Sequence, residues 1–273
     1  MKVGIVGSGG MAEAVIGGLL RHGDVEPAAI CASGPRSERG DGLAARYGIR
    51  TAVENREALR GADVVVLSVK PQVMRHVMEE VRDAMEPGAF AFSIAAGISM
   101  ATIAGGLGRK AVVRAMPNSP AQVGHGITVW THTPEVSEPQ LEQAAVILRS
   151  LGEAVQVADE SYLDMATALS GTGPAYVFLF LEALVDAGVH LGFSRHLAEK
   201  LVVKTLAGAL EFYEQQPNHL SRLRNQVTSP GGTAAEALYF LERARFRSSI
   251  SRAVWAAYQR SLALGRDAED LHA

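Results

Sequence analysis

Cysteine is almost missing from this chain. Cys31 is the only one in 273 residues, so no internal disulfide can form, and a reducing cytoplasmic setting is expected. A surplus of either charge is missing as well. The 26 basic and 29 acidic residues leave a net charge of −3, which gives no general attraction to nucleic acid or to an anionic membrane. One local cluster, Arg243, Arg245, Arg247 and Arg252, reads as a solvated or ion-paired helix face. Long apolar runs are scarce. Ala175–Leu181 is interrupted at once by Glu182 and Asp186 and falls short of the ~20 residues that span a bilayer. Lys2-Val3-Gly4-Ile5-Val6 follows the first methionine with no basic region and no cleavage site, so no export signal is expected. No metal site is expected, and no acid/base pair stands out. His125, between two glycines, reads as a loop residue.

What is present is ample core material. Apolar residues make up 48% of the chain and charged residues 20%, and this length favours two domains over one. Up to about residue 158, β-branched runs alternate with helical patterns. Strands are expected at Val3–Val6, Ala29–Ala32, Val64–Val69, Phe90–Ile94, Val112–Met116 and Ile127–Trp130, with a weaker one at Ala154–Val157. Helices are expected between them at Met11–Arg21, Gly42–Tyr47, Val73–Met85, Met100–Gly105 and Gln140–Leu151. Such alternation predicts crossover units and a doubly wound, mostly parallel α/β sheet over residues 1–158. Beyond Asp159 only helical patterns remain: Glu160–Leu169, Ala175–Leu191, Arg195–Tyr213, Leu220–Gln226, Ala234–Arg243 and Ser248–Leu264. Residues 159–273 are therefore expected to form an all-helical second domain. Ala175–Leu191 is apolar nearly all round, which predicts burial, here between two subunits.

Two glycine-rich segments carry the chemistry. Gly7-Ser8-Gly9-Gly10-Met11 follows the first strand and opens the first helix. Gly7 permits a tight turn, Gly9 lets the backbone approach a pyrophosphate, and Ala12 and Ala14 are small enough for close helix packing. The loop after the second strand, Ala32-Ser33-Gly34-Pro35-Arg36-Ser37, has no acid to hold a ribose 2′-hydroxyl. Small polar and basic residues there accommodate a 2′-phosphate, so NADPH is expected, with NADH as the alternative. Leu67–Gln72, containing Val69, Lys70 and Pro71, and Ile94–Gly97, containing Ala95, Ala96 and Gly97, end two further strands and face the same crevice. Lys70 there is either a phosphate or catalytic group or a surface lysine. Far along the chain, Val227-Thr228-Ser229-Pro230-Gly231-Gly232-Thr233 leads into another helix. Bare backbone at a helix start presents aligned N–H groups at the positive end of the dipole, a receptor for a carboxylate. One cradle for a nucleotide and one for an acid suggest a redox enzyme.

These motifs, with Arg114-Ala115-Met116-Pro117-Asn118-Ser119-Pro120 and Leu169-Ser170-Gly171-Thr172-Gly173-Pro174-Ala175-Tyr176, make the chain resemble the pyrroline-5-carboxylate reductases over nearly its whole length. The resemblance implies a Rossmann-like domain, a helical dimerisation domain, and NAD(P)H-dependent reduction of 1-pyrroline-5-carboxylate to L-proline. It implies that Ser8, Gly10 and Met11 meet the pyrophosphate, that Ser33 and Arg36 meet the adenosine end, and that Asn55 meets its ribose. Val69, Lys70, Ala95 and Ala96 would run towards the nicotinamide. It further implies dimers that often assemble into decamers, with substrate held by Ser229, Gly231, Gly232 and Thr233. Ser170 and Thr172 are candidate hydroxyls near the substrate ring, or else helix caps. Two positions depart from the family pattern. Ala234 stands where a hydroxyl residue usually approaches the substrate nitrogen, and Gly10 replaces a commonly polar residue. Rival readings are a reductase of another cyclic imine, a non-catalytic NADP-sensing protein, and a β-hydroxyacid dehydrogenase using Lys70.

Overall fold

Short apolar runs become strands here because both faces of their sheet are covered. The computed structural model describes residues 1–270, with side chains described to Arg266. In chain order the first elements are β1 (Val3–Val6), α1 (Gly10–His22), β2 (Ile30–Ser33), α2 (Ser37–Tyr47), β3 (Arg50–Ala52) and α3 (Asn55–Ala58). There follow β4 (Val64–Leu67), α4 (Met74–Val81), β5 (Phe90–Ser93), α5 (Met100–Leu107) and β6 (Val112–Met116), then β7 (Gly126–His132), α6 (Glu138–Leu151), β8 (Gly152–Gln156) and α7 (Ser161–Ala166). The eight strands form one sheet in the order β3-β2-β1-β4-β5-β6-β7-β8. All neighbours are parallel except β6 and β7.

Alternation along each strand feeds two cores. Ile5, Val64, Val66, Phe90 and Phe92 pack on one face with Val15 and Leu19 of α1 and Ile147 and Leu148 of α6. Val6, Val65, Leu67 and Ala91 pack on the other with Met74 and Met78 of α4 and Ile103 of α5. β1, β2, β4 and β5 are buried at every residue, as parallel strands covered on both sides must be. The sequence anticipates this architecture and places most of its strands within one or two residues. It misses β3, whose three residues include the exposed Arg50 and carry too little apolar signal.

The described residues fall into two compact units, 1–174 together with 256–270, and 175–255. The last strand ends at Gln156, and among the described residues every later element is a helix. After α7 the chain makes a π-helical turn over Thr167–Gly171 and continues as α8 (Gly173–His190), α9 (Arg195–Gln215), α10 (Leu220–Gln226), α11 (Thr233–Arg243) and α12 (Phe246–Asp270). In the second unit Arg195 pairs with Asp186 at 2.7 Å and Arg247 with Glu242 at 2.7 Å. Arg243, Arg245 and Arg247 are exposed, and Arg245 has φ +59° between α11 and α12. The nearly all-apolar α8 is not buried within one chain: Phe178 is 65% and Leu179 67% exposed. The helical run Ser161–His190 that contains it has a mean hydropathy of 1.4 over its most apolar stretch. By length and composition alone it is long enough to cross a membrane, which the short run Ala175–Leu181 is not.

One buried charge ties the first unit together. Arg114 on β6 is 2% exposed. Its Nη1 donates to Glu160 Oε1 at 2.7 Å, and Nη2 to Asp164 Oδ1 at 3.4 Å. Glu160 Oε1 also accepts from Met100 N at 2.7 Å, at the start of α5, and Asp164 Oδ1 accepts from Ser261 Oγ of α12 at 2.7 Å. Removing the cation strands two adjacent carboxylates. Arg114→Leu is expected to lower unfolding free energy by about 3 kcal/mol, measured by urea denaturation with NADPH absent.

Candidate active site

The carboxyl ends of the strands coincide. Val6 is level with Ser33 and with Leu67, and Leu67 is level with Ser93. The loops that leave these four residues therefore emerge along one edge, astride the β1/β4 switch point where ligands of open α/β sheets bind. Gly7–Met11, Ser33–Arg36, Val69–Pro71 and Ala95–Gly97 are all brought there.

Gly7 has φ +103°, and a Cβ on it would collide with the Ser68 carbonyl. Its N–H donates to Ser33 O at 3.0 Å, which closes the turn against β2. Gly9 is the N-cap of α1 (φ −76°, ψ −176°) and has no side chain with which to cap it. A Cβ there would enter open space. The first amides of α1 thus open onto free space at the positive end of the helix dipole, which fits a pyrophosphate.

Not every anticipated side chain is free to face that open edge. Ser33 is fully buried, and its hydroxyl donates to Asn55 Oδ1 at 2.7 Å. Asn55 Nδ2 in turn donates to Glu80 Oε2 at 2.8 Å. Both polar groups are engaged inside the protein. Arg36 is exposed at the N-cap of α2, and its guanidinium has no partner among the described residues. Lys70 is exposed at the start of the Pro71–Val73 turn. Gly97 (φ +77°) lies not on the open side but under α12: a Cβ on it would sit 2.9 Å from Ser261 O.

Thr167–Gly171 packs on the end of β6, since a Cβ on Gly171 would lie 2.7 Å from Met116 Cε. Ser170 Oγ donates to Ala166 O at 3.0 Å and Thr172 Oγ1 to Thr167 O at 2.8 Å. Ser170 thus donates back into the turn before it, and Thr172 is the C-cap of a π-helical turn, a distortion common at functional sites.

The second cradle belongs to the other unit. Gly231 takes φ +70°, and Gly232 caps α11 with extended backbone (φ −82°, ψ 169°) and no side-chain hydrogen bond. Gly232 N donates to Ser229 O at 3.1 Å, while a Cβ on Gly232 would collide with Ser229 Oγ. Neither Ser229 nor Thr233 serves as the N-cap. The cap is bare, and Ser229 Oγ stands beside it.

Comparison with known proteins follows this geometry. The profile described as pyrroline-5-carboxylate reductase dimerisation matches residues 160–264. One described as NADP oxidoreductase, coenzyme F420-dependent, matches residues 2–97. Pyrroline-5-carboxylate reductase of Synechocystis is 39% identical over 97% of this chain and 99% of its own length. That of Pseudomonas aeruginosa is 40% identical over 96% of each. The chain belongs to the pyrroline-5-carboxylate reductase family. The crystal structure of the Plasmodium falciparum reductase with NADP bound superposes with a TM-score of 0.89 at 30% identity, covering 97% of this chain and 98% of that one.

The fold class and the family anticipated from sequence are thus shown. Among the described residues no group of three or more His, Cys, Asp or Glu is arranged to hold a metal ion. Sequence reasoning overlooked Arg39, which braces the reductase's first glycine turn. Its Nε donates to Ser8 O at 2.9 Å, and its Nη2 pairs with Glu13 of α1. Arg46 Nη1 donates to Glu13 Oε1 at 2.8 Å, and Tyr47 Oη donates to the same oxygen at 3.1 Å. The only sequence signal was an arginine in the first turn of a helix starting earlier than its apolar pattern.

The Arg39 hydrogen bond holds the Glu13 carboxyl below its ordinary value of 4.5. Burial, then the bond to Glu13, raises the Tyr47 phenol. A carboxyl lowered on folding adds stability above its unfolded value, and that stability is lost as pH falls through the folded value. Glu13→Gln should therefore be less stable than wild type at pH 7, and the gap should close below about pH 4.5. Urea midpoints measured across pH check this.

Proposed function

We propose that this chain reduces the C=N bond of 1-pyrroline-5-carboxylate to give L-proline, with NADPH as the preferred reductant and NADH as a possible substitute. The observation that carries this reading is the pair of bare helix starts, Gly9 of α1 and Gly232 of α11, within a chain of this family. We assign cofactor binding to residues 1–158, and dimerisation and substrate binding to residues 159–273. The family profiles over 2–97 and 160–264 and the end of the last strand at Gln156 support that division.

When bound, NADPH supplies the hydride for the imine carbon. The amides at the start of α1 hold the pyrophosphate, and the Ala95–Gly97 and Val69–Pro71 turns line the nicotinamide side. Arg36 is the side chain assigned to the 2′-phosphate. In the second unit the amides of the Gly231–Thr233 segment and the Ser229 hydroxyl are assigned to the substrate carboxylate; in the first, Ser170 and Thr172 are assigned to substrate as hydroxyls with oxygen lone pairs left to accept. A protonated imine already carries the nitrogen's proton, so this chain's residues contribute alignment and charge rather than an acid/base pair. Ala234 has no hydroxyl to offer, which leaves backbone to hold the acid.

The exposed face of α8 is assigned to a second copy of this chain, giving a homodimer, with decamers built from such dimers. We prefer this to a membrane because the apolar residues lie inside the matched dimerisation segment, 160–264. Neither nucleic acid nor lipid is assigned as a partner. Cys31 is buried and its thiol is held above its ordinary value by burial, which suits the reducing cytoplasm.

An assay following NADPH oxidation with pyrroline-5-carboxylate tests the reading; turnover only with a six-membered ring analogue, or none with any imine, overturns it. In the same assay Arg36→Ala should lower the NADPH-over-NADH preference about tenfold, the effect of one charged contact. Ser229→Ala combined with Gly231→Val should raise the KM for substrate about 10- to 100-fold, while NADPH affinity by fluorescence titration stays at the wild-type value. Sedimentation equilibrium without detergent should give a multiple of twice the monomer mass; mass recovered only with detergent would contradict the dimer assignment.

A further inference from the structure

The Ala95-Ala96-Gly97 turn has almost no side chain with which to fix itself. Ala95 N donates to Ser93 Oγ at 3.3 Å on one flank. On the other, Ser99 Oγ accepts from Thr102 N at 3.1 Å, and Glu160 Oε1 accepts from Met100 N at 2.7 Å. Between the flanks the turn rests on α12, backbone against backbone. A Cβ on Gly97 would lie 2.9 Å from Ser261 O and 3.1 Å from Gly265 N, and one on Gly265 would lie 2.5 Å from Gly97 O. Residues 1–174 and 256–270 form one compact unit, so this contact lies within a single body. Ser261 is 2% exposed, and its hydroxyl donates to Asp164 Oδ1, which also accepts from the buried Arg114. That fixes α12 relative to β6 and α7.

We propose that Ser261 and Gly265 are positioning residues: they clamp the Ala95–Gly97 turn and so set the nicotinamide-side wall of the cofactor cleft. The inference rests on the reading of this unit as the NADPH-binding one. Neither residue touches cofactor or substrate. They act through Gly97, whose location is dictated from behind because small residues pack only where their neighbours put them.

Gly265→Ala separates this role from a helix-stabilising one. Alanine ordinarily favours a helix interior over glycine, so without the clamp the substitution is neutral or stabilising. With it, the new methyl group must push Gly97 O from 2.5 Å to an ordinary contact, a shift of up to about 1 Å, which costs up to about 100-fold in rate when it misplaces a reacting group. The test uses the full-length reductase as Gly265→Ala, Ser261→Ala and Ser261→Thr. For each, NADPH Kd is measured by fluorescence titration without substrate, kcat at saturation, and Tm.

The expected result for Gly265→Ala is a Kd raised about tenfold and a kcat lowered about 10- to 100-fold, with wild-type far-UV circular dichroism. Ser261→Ala should move Kd and kcat the same way by less, and Ser261→Thr should restore them. Unchanged Kd and kcat in Gly265→Ala overturn the clamp, as does a lowered Tm with both constants unchanged. If Gly265→Ala does not fold, Ser261→Ala decides: wild-type Kd and kcat there overturn the proposal. The Kd arm needs no imine, so failure of wild type to reduce pyrroline-5-carboxylate would sink the assigned reaction while leaving the clamp decided on binding alone.

Discussion

A guanidinium excluded from water is the constraint on which the first unit is organised. Burying the Arg114 guanidinium to 2% exposure is costly without carboxylates beside it, and the chain supplies two from one turn of helix, Glu160 and Asp164. Each carboxylate has a second duty. Glu160 accepts the Met100 amide where α5 begins, and Asp164 accepts the Ser261 hydroxyl of α12. One charge thereby fixes a strand, two helix starts and the last described helix at the carboxyl edge of the sheet, where the glycine turns emerge.

Two glycine-capped helix starts in this chain share a local grammar. In each, glycine occupies the N-cap of a helix, a neighbouring glycine takes positive φ, and no capping side chain competes for the first amides. The chemistry is written in absent side chains rather than present ones. That agrees with a reaction in which alignment and dipoles do most of the work and no dedicated acid/base pair is needed. Side chains enter as braces, and Arg39 is the clearest case: it hydrogen-bonds the Ser8 carbonyl while Glu13 holds it in place.

Much of this was legible in the residues, and the gaps have physical causes. Four-residue apolar runs such as Val64–Leu67 reported their own burial, and the glycine turns reported the carboxyl edge. β3 did not, because three residues with an exposed arginine have no detectable period. Ser33 and Asn55 were read as cofactor groups by resemblance, but which way a hydroxyl points depends on a partner 22 residues away in sequence. The partners of Arg114 lie 46 and 50 residues downstream, beyond any local pattern. Gly97 was read as lining the cleft, whereas its positive φ and lack of a side chain answer to a helix more than 160 positions later, which no single stretch could reveal. An all-apolar helix looks the same in sequence whether its own chain or another covers it; the sequence expectation for α8 was burial between two subunits, and within one chain its face is exposed.

The unit formed by residues 1–174 and 256–270 also has a consequence for how the protein is made. Its sheet can assemble as soon as the eight strands have left the ribosome, but the backbone shelf under Gly97 is still missing then. Only after the intervening helices have been synthesised does Gly265 arrive to complete it. The unit that holds the sheet is completed only after the other has been made.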